Sequence, residues 1–219
     1  MSKPGVLFDL DGTLVDTVYL HAVCWGEALR QHGHVVPMYA IAKAIGLGSD
    51  KLLPHLLGDE PEGADSISDA QAALYRAHQG RIAALPGART LLARCDAAGK
   101  SVVLASSATA DDLQMLRGVL DSDEHLAAST SSADADESKP HPGIVQVALD
   151  RAELRAADSI FVGDSIWDVQ AAARADMPCV GIATGATSEA ELAEAGAIAT
   201  YPDLNALLGR LTDGALDRE

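Results

Sequence analysis

Gly5-Val6-Leu7-Phe8 runs without a polar side chain into Asp9-Leu10-Asp11-Gly12-Thr13-Leu14-Val15-Asp16-Thr17. An apolar run that does not alternate predicts a strand buried on both faces, as in a parallel sheet covered by helices. Two carboxylates then stand two residues apart where that strand ends. In open α/β sheets ligands bind beyond the carboxyl ends of the strands. Period-2 geometry would send both acids to one side, and a turn at Gly12 would redirect the second. Close carboxylates repel, so one holds a proton or a cation binds between them. A hard divalent ion with oxygen ligands suits such a pair.

Working outward, Ser101-Val102-Val103-Leu104-Ala105, Ser159-Ile160-Phe161-Val162 and Cys179-Val180-Gly181-Ile182 repeat the continuous apolar pattern. Leu126–Ser129 and Ala197–Thr200 are weaker strand candidates. Helix-length segments lie between them, near 88–98, 110–120, 142–152 and 166–175. Gly99 supplies the C-terminal stop of the first. This alternation predicts a doubly wound parallel α/β sheet.

One stretch breaks the rhythm. From Asp16 to Leu85 the pattern is helical, near 18–32, 39–45, 50–57 and 68–84, punctuated by Gly46, Gly48 and Gly58. Such an insert after the first strand predicts a small all-helical domain, residues 16–85, on a core made of 1–15 and 86–219. Linkers near 15–17 and 85–87 would let it open and close. Residues 121–137, rich in Asp, Ser and Ala, are expected to form a solvated connection around a short strand.

Composition bounds the function. The chain has 219 residues, with 32 Asp+Glu against 16 Lys+Arg, and a net charge of −16. That balance argues against nucleic acid and anionic membranes, which demand surplus Lys and Arg. Alanine leads the apolar share, and aromatics are 4%; packed helices fit that better than an all-β sandwich. Cys24, Cys95 and Cys179 form no Cys-x-x-Cys, so reduced, buried thiols are expected. The N-terminus does not read as a signal peptide, and no apolar run nears the ~20 residues that span a bilayer. A soluble cytoplasmic protein, monomeric or weakly dimeric, is the expectation.

Three further motifs carry chemistry. Phe161-Val162-Gly163-Asp164-Ser165-Ile166-Trp167-Asp168 again ends a strand in acids, with Asp168 one turn beyond Asp164. Leu104-Ala105-Ser106-Ser107-Ala108-Thr109 places hydroxyls and backbone N–H groups before a helix, an anion-binding pattern. Ser138-Lys139-Pro140-His141-Pro142-Gly143 puts a lysine beside a proline-opened helix, able to reach a phosphate or clamp a carboxylate.

In order and spacing, these motifs resemble those of the haloacid dehalogenase superfamily of phosphohydrolases. Asp9-Leu10-Asp11-Gly12-Thr13 matches the first motif, Ser106 the second, Lys139 the third, and Gly163-Asp164-Ser165 with Asp168 the fourth. The helical insert resembles that family's small cap. The resemblance implies a Mg²⁺-dependent phosphatase acting on a small phosphorylated metabolite, a sugar phosphate or a phosphoglycolate-like ester. Asp9 would be the nucleophile and Asp11 the acid and base. Mg²⁺ would be held by Asp9, Asp11 through its carbonyl, Asp164 and Asp168, the last holding a metal-bound water or orienting Lys139. Thr13, Ser106, Ser107 and Lys139 would grip the phosphoryl group.

Asp11 disfavours dehalogenation, since a halide needs no proton, and Thr13 favours a phosphatase. His21 and Trp25, four apart on the first cap helix, resemble a pair in the β-phosphoglucomutase-like branch and keep that alternative open. Gly48, Ser49 and Lys51 fall where the cap's substrate-contacting loop belongs. Lys43, His55 and Arg76 are further candidates for an anionic or hydroxylated substrate portion, and a phosphonate-cleaving relative would need a cap lysine such as Lys43 or Lys51.

Overall fold

A computed structural model describes residues 3–59 and 61–217. The chain runs β1 (Gly5–Phe8), α1 (Val18–Gln31), α2 (Met38–Ala44), α3 (Ser49–Leu57), α4 (Ala64–His78), α5 (Ala88–Ala97), β2 (Ser101–Ala105), α6 (Ala110–Leu120) and β3 (Leu126–Thr130). It continues through α7 (Gly143–Arg151), β4 (Ser159–Gly163), α8 (Ile166–Arg174), β5 (Cys179–Ile182), α9 (Glu189–Glu194), β6 (Ala199–Tyr201) and α10 (Leu204–Leu208).

Among the described residues six strands pair in parallel, in the order β3-β2-β1-β4-β5-β6. The chain winds outward from β1 to one edge, then returns to β4 and winds to the other. The switch therefore lies between β1 and β4, where such sheets bind ligands. Register fixes what meets there. Phe8 pairs with Leu104 on one side and Val162 on the other. The residues that follow, Asp9, Ser106 and Asp164, thus leave the sheet at one end and nearly one level.

The apolar strands are buried on both faces, as their unbroken runs require. Val6 and Phe8 pack with Leu91, Leu92 and Leu116 on one face, and Leu7 packs with Val145, Phe161 and Ala172 on the other. Helices α1 to α4 have their own apolar cluster around Trp25, Leu29, Ile41, Leu52 and Ile67. Trp167 of the α8 first turn leans on that cluster, and its Nε1 donates to the Lys43 carbonyl at 3.0 Å.

Several boundaries differ from the sequence expectation. The last helix of the insert spans Ala64–His78 rather than 68–84. Gly63 takes a left-handed φ of 76° and admits the earlier start, a conformation glycine adopts without strain. Beyond a single turn at Gln79–Arg81, the chain extends, and Val15 bridges Ala84 in antiparallel fashion. The two crossings into and out of the helical insert are therefore paired to each other, with the Asp16 amide donating to Ala83 and the Leu85 amide to Leu14. The strand expected at 197–200 is Ala199–Tyr201. Helices α9 and α10 were not foreseen, although Ser188 with Glu191 forms a capping box and Asp203 caps α10. Cys24, Cys95 and Cys179 are free and buried. Among the described residues no helix is long and apolar enough to cross a membrane.

Candidate active site

Asp9 follows the last residue of β1, and its amide donates to the Val162 carbonyl of β4 at 2.9 Å. The side chain is buried, 3% exposed. Lys139 reaches it from the loop before α7. The Lys139 ammonium, 1% exposed, donates to Asp9 Oδ1 at 2.5 Å and to Asp168 Oδ1 at 2.7 Å. Burial alone would push the lysine toward neutrality; the charges of Asp168 and Asp9 reverse that and raise its pKa.

Asp168 has a second task. It is the third residue of α8, and its Oδ2 accepts from the Ser165 amide at 3.1 Å and the Ser165 hydroxyl at 2.6 Å. The capping role and the clamp on Lys139 are served by different oxygens of one carboxylate. Gly163 makes this possible, since a Cβ there would stand 2.4 Å from the Asp168 Cβ.

Asp164 leaves the end of β4. Its Oδ1 accepts from the Thr13 hydroxyl at 2.8 Å. Its Oδ2 sits in a cradle of glycines: a Cβ on Gly185 would fall 1.9 Å from it, and one on Gly12 2.6 Å. Thr13, expected to grip phosphate, is fully buried and instead gives its hydroxyl to this carboxylate.

Ligand atoms of Asp9, Asp164 and Asp168 lie within 4.8 Å of one another, all three buried. Three carboxylates face one ammonium. Burial, above all, pushes the Asp9 carboxyl up to about 7, with Lys139 opposing and the other acids adding. Asp164 rises well above the carboxylate range from burial and from the charges of Asp168 and Asp9. Such a set lacks positive charge. Its donors are all oxygen, which fits a hard divalent cation. Among the described residues, Asp9 Oδ2 and Asp164 Oδ2 have no protein hydrogen-bond donor, whereas both oxygens of Asp168 are engaged.

Asp11 is in a different state. Its carboxylate turns away from that group to accept from Thr17 Oγ1 at 2.7 Å, with His21 Nε2 at 3.3 Å. Burial pushes its pKa up, but hydrogen bonds from His21 and Thr17, with the Lys139 charge, bring it below the usual carboxylate value. Gln71 of α4 donates to His21 Nδ1 at 3.2 Å. With that nitrogen accepting, the proton sits on Nε2, facing Asp11. Tyr75 stacks on the imidazole, centroids 4.0 Å apart.

A cavity of about 140 Å³ opens over Asp9, Asp11 and Lys139. The insert contributes His21, Trp25, Gly48 and Ser49 to its wall, and Ser107 comes from the β2 end. The Ser107 hydroxyl is buried without a partner. Ser106 lies just behind, its Oγ accepting from the Ala108 amide at 3.0 Å. Gly46, at φ 104°, lets the loop approach α8, for a Cβ there would meet Ser165 Oγ at 2.7 Å. The Gly48 amide donates to Ser138 Oγ at 3.2 Å, next to Lys139 in sequence.

The cap lysines are placed differently from the expectation. Lys51 is not in the cavity wall; its ammonium pairs with Glu137 at 2.7 Å. Lys43 pairs with Glu191, and His55 meets the Trp167 ring edge-on. Each finds a partner on the sheet side of the molecule and is drawn from the cavity by it. Sequence reading missed Gln71, Asp112 and Gly185, which reach the site from three separate elements.

Comparison with known proteins agrees with this geometry. Residues 6–182 match the family model described as haloacid dehalogenase-like hydrolase. A haloacid dehalogenase-like hydrolase domain-containing protein of Arabidopsis thaliana is 30% identical, the alignment covering 93% of this chain and 75% of that protein. A phosphoglycolate phosphatase of Yersinia pestis is 29% identical, over 83% of this chain and 81% of its own. The crystal structure of a hydrolase from Pseudomonas syringae superposes with a TM-score of 0.91 at 30% identity, covering 97% of this chain and 99% of that one. With a parallel sheet whose strand ends gather Asp9, Ser106 and Asp164 beside Lys139, this chain belongs to the haloacid dehalogenase-like hydrolases.

Proposed function

We propose that the chain is a Mg²⁺-dependent phosphatase that hydrolyses a small phosphate ester through a phosphoryl group carried on Asp9. The observation that carries this reading is the contrast between Asp9 and Asp11. One is buried against Lys139 in a group short of positive charge; the other is held apart by Thr17 and His21. Two neighbouring carboxyls in different environments are what a nucleophile and a proton-transfer group require.

In the first step an Asp9 oxygen attacks phosphorus, the ester P–O bond breaks, and Asp11 gives its proton to the departing alkoxide. A phosphate dianion beside Asp11 raises its pKa, which offsets the hydrogen bonds that hold it ionised. In the second step Asp11 takes a proton from water, whose oxygen attacks phosphorus and releases phosphate and the Asp9 carboxylate. Lys139 balances charge on the phosphoryl oxygens, and the Ser106 and Ser107 hydroxyls donate to them. Asp9 and Asp164 would hold Mg²⁺, with Asp168 acting through Lys139; the ion offsets the repulsion between carboxylate and phosphate.

We further assign α1–α4 as a cap, residues 16–85, whose closure excludes water. A cavity of about 140 Å³ suits a small metabolite, well below the 300–1,000 Å³ of pockets for drug-sized ligands. The three free, buried thiols fit a reducing cytoplasm.

Asp9→Asn is expected to lower Mg²⁺-dependent phosphate release from p-nitrophenyl phosphate by at least about a thousandfold. Turnover near the wild-type rate overturns the mechanism. A second reading, phosphoryl transfer within a sugar phosphate, draws on His21 and Trp25, which both line the cavity. It gains if β-glucose 1-phosphate with a bisphosphate activator isomerises faster than it releases phosphate.

A further inference from the structure

The cavity over Asp9 is poor in positive charge. Among the described residues, Lys139 is the one Lys or Arg side chain in its wall, and Lys139 is held by Asp9 and Asp168. Two basic side chains that the cap could have offered are spent elsewhere, Lys43 on Glu191 and Lys51 on Glu137, and Arg76 is not in the wall.

Instead, a further carboxylate stands in the wall. Asp112 lies in the first turn of α6 and lines the cavity. Its Oδ2 accepts from the Thr109 hydroxyl at 2.8 Å, and its amide donates back to the same oxygen of Thr109 at 3.2 Å. Thr109 caps the helix, so the carboxylate is fixed to a rigid element. Its Oδ1 has no partner among the described residues. Nearby are the partnerless Ser107 hydroxyl and Ser49, with Trp25, Leu47 and Leu116 as apolar wall.

We infer that this cavity selects phosphate esters with a hydroxylated leaving group, a sugar or polyol phosphate, over those with a second anionic group, which Asp112 rejects. The inference rests on the phosphatase reading above. A phosphocarboxylate as short as phosphoglycolate must place its second charge inside the same small space. There it meets the Asp112 carboxylate and, among the described residues of the wall, no Lys or Arg besides Lys139, a like-charge contact that costs heavily once water is excluded. A hydroxyl group needs only one partner, and Asp112 Oδ1 and Ser49 each offer one. The apolar wall suits the C–H face of a sugar.

The test is phosphate release by the full chain with Mg²⁺ from glycerol 1-phosphate, glucose 6-phosphate and phosphoglycolate. The better of the first two is expected to exceed phosphoglycolate in kcat/KM by at least about tenfold. Asp112→Asn should narrow the gap to phosphoglycolate by at least about threefold. Preference for phosphoglycolate, or a gap unmoved in Asp112→Asn, overturns the inference. If no ester releases phosphate, the phosphatase reading fails on its own. The selectivity is then read by calorimetric titration of the same three esters into Asp9→Asn protein, where the same order is expected and a reversed order overturns it.

Discussion

The Lys139 ammonium lies 2.7 Å from Asp168 Oδ1, and Asp168 turns its other oxygen to Ser165 at the start of α8. A helix cap and a buried ion pair thus share one side chain. Removing Lys139 leaves the Asp9 and Asp168 carboxylates buried with no ammonium between them. Lys139→Met should cost about 3–5 kcal/mol in denaturant unfolding and abolish turnover. Asp168→Asn keeps an oxygen for Ser165, so its stability loss should be smaller, while turnover falls because Lys139 loses its orienting partner. Equal stability losses in both variants would contradict this division of roles.

Gly185 faces the other end of the acid group. A Cβ there would lie 1.9 Å from Asp164 Oδ2, closer than any non-bonded contact allows. Gly185→Ala must therefore move the carboxylate that Thr13 orients. The expected result is a rise in the Mg²⁺ concentration needed for half-maximal activity, by roughly tenfold or more, the range for disturbed outer partners of metal ligands. An unchanged Mg²⁺ dependence would mean that Asp164 is not a ligand.

His21 and Gln71 form a chain that ends on Asp11. Neither bonds Asp9. Gln71→Ala should therefore loosen Asp11 without touching the nucleophile, and kcat should fall by roughly ten- to a hundredfold with KM little changed. Gln71→Glu, which keeps the reach but replaces the donor with an acceptor, should remove the hydrogen bond to His21 Nδ1 and shift the pH profile of kcat. A profile identical to wild type in both variants would remove this chain from the mechanism.

The reach of sequence reading has a physical pattern. Strands such as Val102–Ala105 were legible because burial on both faces demands an unbroken apolar run. The acids Asp9 and Asp164 were legible because each sits where such a run ends. Gln71, Asp112 and Gly185 were not, because each is ordinary in its own segment and gains meaning only from packing against another. Lys43 and Lys51 misled for the same reason. Their partners Glu191 and Glu137 lie 148 and 86 residues further along the chain. The Thr13 hydroxyl went to Asp164, 151 residues away; a local pattern cannot reveal such a partner.

The Lys43–Glu191 pair ties the helical insert to the sheet side, and it makes a pH prediction. Hydrogen bonds from Lys43 first, then from the Ser188 amide and hydroxyl, hold the Glu191 carboxyl down to about 2. An ordinary glutamate titrates near 4.3. A folded-state pKa below the unfolded value means that the stabilisation is present above about pH 4.3 and is lost as pH falls toward about 2. Both side chains are more than 40% exposed, so salt screens the pair and its contribution is small. The sign is nonetheless testable. Carbon-detected NMR should place the Glu191 midpoint well below the ordinary glutamate value. Lys43→Met should raise it, leaving only the Ser188 contacts, and Glu191→Gln should be slightly less stable than wild type at neutral pH and equal to it near pH 2. A Glu191 midpoint unmoved by Lys43→Met would show that this contact does not hold the insert against α9 in solution.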